Sequence, residues 1–555
     1  MIGYTCKYTP VELLRAFGGE PFLLDGEEPD FEFAEGLTHA NLCCHAKALI
    51  QQGRRTEELL LMDCCDSLRR SYDVLNMDSR HTFLKLMDLP HENGQCARER
   101  FRQELIHLAD AYGKSMNRAF SKDRFLTACR ENAQELPNEP FLAVLGARVS
   151  PPLLELIRSQ MSLPVVNLTC SGNRNLEAPP DGAEDMDFEQ LMDWYAGALL
   201  RMIPCMRMTS VAGRRELTNH PHLKGVIYNT VKFCDFYSFD YAALKRETDL
   251  PVLKIESDYM PQPSGQLSTR LEAFSESLRP ELHRRPPMNE TTIKSTGLYA
   301  GIDSGSTTTN MVVINEKKEL LASAIVRTGA KAQNGARAAL EEVCKQLSVQ
   351  PEAFAAVMAT GYGRNNIPFA TDTKTEITCH ARGAFFLNPA IRTIVDIGGQ
   401  DSKVICLDET GAVTNFIMND KCAAGTGRFL EMMARTLELD MDQMSRQGLT
   451  WKKDLTISSM CTVFAESEVI SLIADNHTDS DIIHGLNKSI AAKTASMVSR
   501  AKGTGPYMMT GGVARNKGVV QALEARLGES LYITENPDLC GALGAALFAL
   551  EDDRG

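Results

Sequence analysis

Two short stretches in the C-terminal half of this 555-residue chain pair an aspartate with glycine and hydroxyl residues. The first is Gly301-Ile-Asp303-Ser-Gly305-Ser306-Thr307-Thr308-Thr309; the second, about ninety residues on, is Asp396-Ile-Gly398-Gly399-Gln400-Asp401. A turn of this composition lets backbone N–H groups approach a phosphate closely, while the carboxylate holds Mg²⁺ or orients water. Apolar runs flank both, Leu298 to Ile302 and Met311 to Ile314 around the first, Thr393 to Asp396 and Lys403 to Leu407 around the second. Each stretch is therefore predicted to be the tip of a β-hairpin. The chain contains neither G-x-x-x-x-G-K-[ST] nor G-x-G-x-x-G, which sets the P-loop and the dinucleotide fingerprint aside. A Gly-Gly turn, Thr510-Gly511-Gly512-Val-Ala-Arg-Asn516, follows the apolar strand Tyr507 to Thr510. Asp303 and Asp396 are thus the candidate catalytic residues. Gly305, Ser306, Thr307, Thr308, Gly398, Gly399, Gln400, Gly511, Gly512 and Asn516, with Gly425 and Gly427, are the candidates for nucleotide contact.

Sixteen cysteines supply the second chemistry. Cys422 opens a segment that turns helical after Gly427, and Cys461 precedes the helix-like run Ala465 to Ala474. Both thiolates are expected near helix N-termini, which favour negative charge. A 4Fe-4S cluster takes four thiolates, and two protomers would supply them. Cys344, Cys379, Cys406 and Cys540 lie in apolar patterns and read as small buried hydrophobes. The first 290 residues carry the other ten cysteines. Neighbouring side chains diverge, so Cys43-Cys44 and Cys64-Cys65 do not fit a regular core, and Cys6 and Cys234 stand in polar, turn-prone settings. These four places read as ligand loops, with His45 and His380 as orienting or core residues. Zinc is the rival ligand for the N-terminal thiols, weakened by the lack of paired C-x-x-C motifs. No basic leader opens the sequence and no apolar run approaches the roughly 18 residues of a membrane span. A cytoplasmic setting is expected, where disulfides are rare and thiols serve metals or reactivity.

Residues 296 to 553 resemble the acetate and sugar kinase, Hsp70 and actin superfamily, in which two clasps from two related lobes face each other across ATP. Within it, five stretches in order look like the activator ATPases of 2-hydroxyacyl-CoA dehydratases and benzoyl-CoA reductases. They are Thr360-Gly-Tyr-Gly-Arg364, Glu376-Ile-Thr-Cys-His380, Asn419-Asp-Lys-Cys422-Ala-Ala-Gly425-Thr-Gly427, Cys461-Thr-Val-Phe-Ala-Glu466 and Gly541-Ala-Leu-Gly544. The resemblance implies ATP, Mg²⁺, and one 4Fe-4S cluster shared across a homodimer through Cys422 and Cys461.

Residues 1 to about 285 resemble the catalytic subunits of 2-hydroxyacyl-CoA dehydratases and the related double-cubane cluster proteins. The resemblance is carried by Gly3-Tyr-Thr-Cys6, Asn41-Leu-Cys43, Cys65-Asp-Ser-Leu-Arg-Arg70, Lys232-Phe-Cys234-Asp235 and Pro251-Val-Leu-Lys-Ile-Glu256-Ser-Asp258. It implies a 4Fe-4S cluster on Cys43, Cys65 and Cys234, with Cys6, Cys44 and Cys64 as candidates for a larger, double-cubane assembly. The segment is short for a complete dehydratase subunit, which leaves electron transfer as the safer expectation.

The length suggests three or four compact units at roughly 150 residues each. The expected division is an iron-sulfur domain at 1–285, with a sub-boundary near 135–140, a Pro-containing linker at 286–296 and an ATPase at 297–555. The expected fold class is α/β throughout, two-lobed and actin/Hsp70-like in the C-terminal half and built on parallel-sheet units in the N-terminal half. A helix is expected over Arg100 to Glu131, and strands at Phe141 to Leu145, Pro164 to Leu168 and Val226 to Tyr228. A net charge of -13 argues against nucleic acid, for which a basic face is needed.

These features together point to ATP-driven, low-potential electron transfer from a ferredoxin or flavodoxin, through the C-terminal cluster, to the N-terminal one, with a separate dehydratase or reductase subunit as a further partner. One electron costs about 59 mV per tenfold bias, so ~300 mV asks for about 7 kcal/mol, a scale suited to nucleotide turnover. The alternatives are a 2-hydroxyacyl-CoA dehydratase in its own right, a small-molecule kinase, and a non-enzymatic ATP-gated interaction protein.

Overall fold

The computed structural model describes residues 1–77, 80–131, 135–205, 207–208, 212–261, 265–278, 297–420, 423–457 and 462–553. The expected linker 286–296, Cys422 and Cys461 lie outside these residues. The chain divides into two compact units, Met1–Leu271 and Glu272–Gly555.

The first unit holds two four-stranded sheets, and every pairing in both is parallel. One contains β1 (Ile2–Tyr4), β2 (Pro21–Leu23), β3 (Glu58–Asp63) and β4 (Phe83–Asp88), in the order β2-β1-β3-β4. The other contains β5 (Phe141–Gly146), β6 (Val165–Asn167), β7 (Leu223–Val231) and β8 (Val252–Ser257), in the order β6-β5-β7-β8. Parallel strands are covered on both faces by their crossover helices, so they read as continuous apolar runs. Glu58–Asp63 and Phe141–Gly146 do so, and the interior residues of both strands are buried. The single helix expected over Arg100 to Glu131 is two, Gln95–Met116 and Lys122–Glu131. Asn117 ends the first in the left-handed conformation, φ 49°, with its N–H turned back on the last turn, a position that asparagine tolerates better than most residues.

The second unit is a duplication. Its first sheet contains β9 (Leu298–Ser304), β10 (Thr308–Asn315), β11 (Leu320–Arg327), β12 (Phe354–Thr360) and β13 (Asp372–Thr373), in the order β11-β10-β9-β12-β13. Its second contains β14 (Thr393–Ile397), β15 (Ser402–Leu407), β16 (Val413–Asn419), β17 (Tyr507–Thr510) and β18 (Leu531–Tyr532), in the order β16-β15-β14-β17-β18. In both, the first three strands form an antiparallel meander and the last two join it in parallel. Both expected hairpins are present, β9–β10 and β14–β15. This is the two-lobed α/β architecture of actin and Hsp70. The helix Cys540–Asp553 is buried from Cys540 to Leu550 and lies directly on β9, where a Cβ on Gly301 would collide with backbone atoms of Ala542 and Ala546. No helix among the described residues is long and apolar enough to cross a membrane.

Candidate functional site

The duplication places the two aspartates at equivalent points. Asp303 is the penultimate residue of β9 and pairs in register with Thr360; Asp396 is the penultimate residue of β14 and pairs with Thr510. A glycine in the left-handed region follows each threonine, Gly361 at φ 85° and Gly511 at φ 82°. A side chain there would be strained and would strike the neighbouring aspartate carboxylate in both lobes. The echo therefore extends beyond the two clasps to a Thr-Gly pair that closes each aspartate from the side.

The clasp tips meet. A Cβ on Gly399 would collide with Thr307 Oγ1. Each tip is braced by its own lobe: Gly305 N–H donates to Thr308 O at 2.9 Å and Thr328 Oγ1 donates to Gly305 O at 2.7 Å, while Gly398 N–H donates to Asp401 O at 3.0 Å. Gly427 N–H donates to Gly398 O and Arg428 N–H to Gly399 O, both at 2.9 Å, so the start of helix Gly427–Thr436 holds the second clasp in place. Ser306, Thr307 and Gln400 remain exposed at the tips. Asn516, expected among the nucleotide contacts, caps helix Lys517–Leu527, its Oδ1 accepting from Gly518 and Val519, while its buried Nδ2 has no hydrogen-bond partner. Asparagine at that position is a strong N-cap because it satisfies N–H groups that the helix leaves open. Beside the Gly511-Gly512 turn lies a cleft of about 550 Å³, lined in part by Ala514, Arg515, Lys517 and Pro537, within the size range of ligand sites.

Between the clasps is a buried charge network that the sequence did not expose. His380, on helix Glu376–Leu387, has Nε2 3.7 Å from Asp303 Oδ2 and Nδ1 3.8 Å from Asp396 Oδ1. Lys403 reaches Asp401 at 2.8 Å, Asp396 at 3.3 Å and Glu376 at 3.4 Å. Burial works against the Lys403 ammonium, but Asp401, Glu376 and Asp396 outweigh it and keep the group charged. Burial lifts the Glu376 carboxyl to about 7. Asp396 is held below the usual carboxylate range: burial opposes ionisation, and His380 and Lys403 overcome it. Thr510 donates to Asp396 Oδ1 at 2.9 Å. Ser304 Oγ and Asn310 Oδ1, both buried beside the first clasp, have no hydrogen-bond partner. Orphaned polar atoms next to a carboxylate fit a hydrated Mg²⁺ and phosphate, which would satisfy them.

In the first unit the thiols converge on the carboxyl ends of the strands, where parallel sheets place their ligands. Cys6 follows β1, Cys64 and Cys65 follow β3, Cys170 follows β6 and Cys234 follows β7. Cys43, Cys65 and Cys234 are each the N-cap residue of a helix, Cys44–Gly53, Asp66–Asn76 and Asp235–Glu247. Three helix N-termini, each favouring negative charge, thus carry the three cysteines expected as ligands. The thiols also act on one another. The neighbouring Cys43 thiol pulls Cys234 down to about 7, and Cys64 pulls Cys65 down to about 6. Cys64 also lowers Cys6.

Two members of this assembly escaped the sequence reading. Cys170 and Cys205 lie within electrostatic reach of Cys6 and of the buried Lys7, and burial pushes Cys170 up and Cys205 up to about 12. Lys7 N–H donates to Cys170 O at 2.8 Å, which ties the two loops together. Cys44, expected as a candidate ligand, stands apart: it packs in the apolar cluster of Phe31, Ala48 and Phe141, and the charges acting most on its thiol are Lys47, Asp258, Lys232 and Glu35. Cys43 and Cys44 straddle a helix start, so their side chains leave in different directions. His45 serves as an orienting residue, accepting from the buried Arg148, which also donates to Thr5 O and lies 3.4 Å from Asp25. Thr5 Oγ1 and Thr9 Oγ1, buried in the Cys6 loop, have no hydrogen-bond partner. Among the described residues, no three His, Cys, Asp or Glu side chains are grouped closely enough to enclose a single metal ion.

The fold and the clasps define a two-lobed nucleotide hydrolase. Residues 300–549 match the BadF/BadG/BcrA/BcrD ATPase family, to which this chain belongs. Residues 6–136 and 132–278 match the family of the 2-hydroxyglutaryl-CoA dehydratase D-component. Among curated relatives, the 2-hydroxyisocaproyl-CoA dehydratase activator of Clostridioides difficile is 42% identical over 252 residues, 45% of this chain and 94% of the relative. The (R)-2-hydroxyglutaryl-CoA dehydratase activating ATPase of Acidaminococcus fermentans is 44% identical over 250 residues, 45% of this chain and 95% of the relative. A benzoyl-CoA reductase subunit from Thauera aromatica is 33% identical over 198 residues, 35% of this chain and 70% of the relative.

Proposed function

We propose that this chain couples ATP hydrolysis in its second unit to the delivery of a low-potential electron to a sulfur-rich centre in its first. The observation that carries the reading is the assembly of Cys6, Cys64, Cys65, Cys170 and Cys234 at strand ends of one unit, with Cys43 at a helix start beside Cys234 and Cys205 near Cys6, in a chain whose other unit is an ATPase. A 4Fe-4S cluster, when bound, supplies a one-electron carrier whose potential depends on net charge, hydrogen bonds to its sulfurs and solvent exposure.

Cys43, Cys65 and Cys234 would hold such a cluster, with Cys6, Cys64, Cys170 and Cys205 available to an enlarged, double-cubane assembly. The spread of these thiols suits a multi-iron group better than zinc, whose four ligands at ~2.3 Å must crowd one ion. Cys422 and Cys461 would hold a second 4Fe-4S cluster across a homodimer. In sequence, helix Thr462–Ala474 starts next to Cys461, and helix Gly427–Thr436, which braces the second clasp, starts five residues after Cys422. In this reading Asp303 and Asp396 position Mg²⁺ or the attacking water, and the clasp N–H groups bind phosphates. His380 sits between the two carboxylates, and with Lys403 it keeps Asp396 ionised. Ferredoxin or flavodoxin is the proposed donor, and a dehydratase or reductase the proposed recipient, by analogy with what the relatives activate.

The test is anaerobic purification of the full chain, analysis for iron and sulfide, and reduction by a low-potential donor with and without MgATP. The expected result is iron-replete protein whose N-terminal centre is reduced only with MgATP. Asp303→Asn should keep its iron and lose ATPase turnover roughly 10²- to 10³-fold, and ATP-driven reduction with it. Iron-free protein, or reduction indifferent to ATP, defeats the proposal and returns the kinase reading.

A further inference from the structure

Arg207 is half-buried, and its cationic head is fixed without a carboxylate. The guanidinium carbon lies 3.9 Å from the ring centroid of Phe236 and 5.7 Å from that of Tyr237. Nη2 reaches Cys234 Sγ at 3.9 Å. Beyond Tyr237, the groups acting on it are the thiols of Cys65, Cys234 and Cys64, and no acidic side chain among the described residues pairs with it. Arg148, a second arginine of the assembly, is instead balanced by Asp25 at 3.4 Å. A partly desolvated cation needs negative charge beside it, and the fold faces Arg207 with thiols in place of a carboxylate, so the negative charge it pairs with is that of the sulfur centre. Guanidinium suits the task because it stacks on aromatic faces and never deprotonates.

On the reading of the thiols given above, we infer that Arg207 is the built-in counter-cation of the Cys65/Cys234 side of the sulfur-rich centre and sets how readily that centre accepts an electron. Aromatic stacking holds the charge at a fixed place, so it stabilises the electron-rich state without moving a proton. Arg207 is a positioning and tuning residue, and it is not needed to hold iron.

The experiment uses the full chain carrying Cys422→Ser and Cys461→Ser, so that the remaining iron belongs to the first unit. Arg207→Gln and Arg207→Lys are made on this background. Iron content is measured, and the centre is titrated anaerobically with dithionite while its absorption and EPR signals are followed. Arg207→Gln should retain iron and shift the oxidised-to-reduced ratio at fixed potential about tenfold toward oxidised, ~59 mV more negative for one electron. Arg207→Lys, which keeps the charge and loses the planar stack, should fall between. Iron-replete Arg207→Gln with an unshifted midpoint overturns the inference, and loss of iron from both variants overturns it too, by making Arg207 structural. An iron-free parent chain is a separate failure, that of the thiol reading itself.

Discussion

At the scale of single residues, the thiol assembly separates ligands from neighbours that resemble them. Cys43 and Cys44 are adjacent, yet of the two it is Cys43 whose thiol is shifted by another cysteine, Cys234, while Cys170 and Cys205, far apart in sequence, come to Cys6 and Lys7. Cys44→Ser is therefore expected to leave iron content per chain unchanged, at a stability cost of about 1 kcal/mol from placing a hydroxyl in an apolar cluster. Cys170→Ser with Cys205→Ser should lower iron content, with Cys43, Cys65 and Cys234 still holding a smaller remainder. Equal iron in the wild type and the Cys170/Cys205 double variant would show that these two thiols stand outside the centre.

At the scale of elements, one carboxylate anchors the segment that leads toward Cys461. Asp481, in the first turn of helix Asp479–Ala501, accepts the backbone N–H groups of Lys452 at 2.7 Å and Lys453 at 2.8 Å. These bonds to Lys453 and Lys452 hold its carboxyl down to about 2, against about 3.9 in an unfolded chain. A depressed carboxylate stabilises the fold above its unfolded value and stops doing so as pH falls through its folded value. Asp481→Asn should thus lower the urea midpoint at neutral pH, and the gap to the wild type should close between about pH 4 and about pH 2. A gap of constant size across that range would show that charge on Asp481 does not matter. The helix it starts also carries Lys493, whose ammonium donates to Ala424 O beside the second clasp, so the elements around the two proposed cluster cysteines are linked to the phosphate site.

For the whole molecule, the proposed shared cluster makes assembly a consequence of the chemistry. The Cys422→Ser/Cys461→Ser chain should lose the iron of the second unit and sediment increasingly as a monomer on dilution, while the wild type stays dimeric at the same concentrations. A double variant that remains dimeric with full iron content would remove both cysteines from the cluster. Joining an ATPase and a thiol-rich unit in one chain also fixes their stoichiometry and raises the effective concentration of one for the other, which favours repeated transfer over chance encounter.

What the sequence alone determined was local. Each clasp with its flanking strands, and the Gly-Gly turn with its own, is written in one short continuous stretch, because a strand-end aspartate, a tight turn and an apolar run each follow from short-range sterics and periodicity. The cysteines after β3 and β7 were picked out by other signals, the adjacent pair Cys64-Cys65, the polar, turn-prone setting of Cys234 and the family resemblance, and the structure shows each to stand between a strand end and a helix start. The tertiary structure decided everything that depends on crossings. It set Thr360 beside Asp303 and Thr510 beside Asp396, brought His380 to the carboxylates, gathered Cys170 and Cys205 with Cys6, and turned Cys44 away. Register between strands, and the direction in which a side chain leaves a helix start, are fixed by packing among segments far apart in sequence, and no local pattern encodes them.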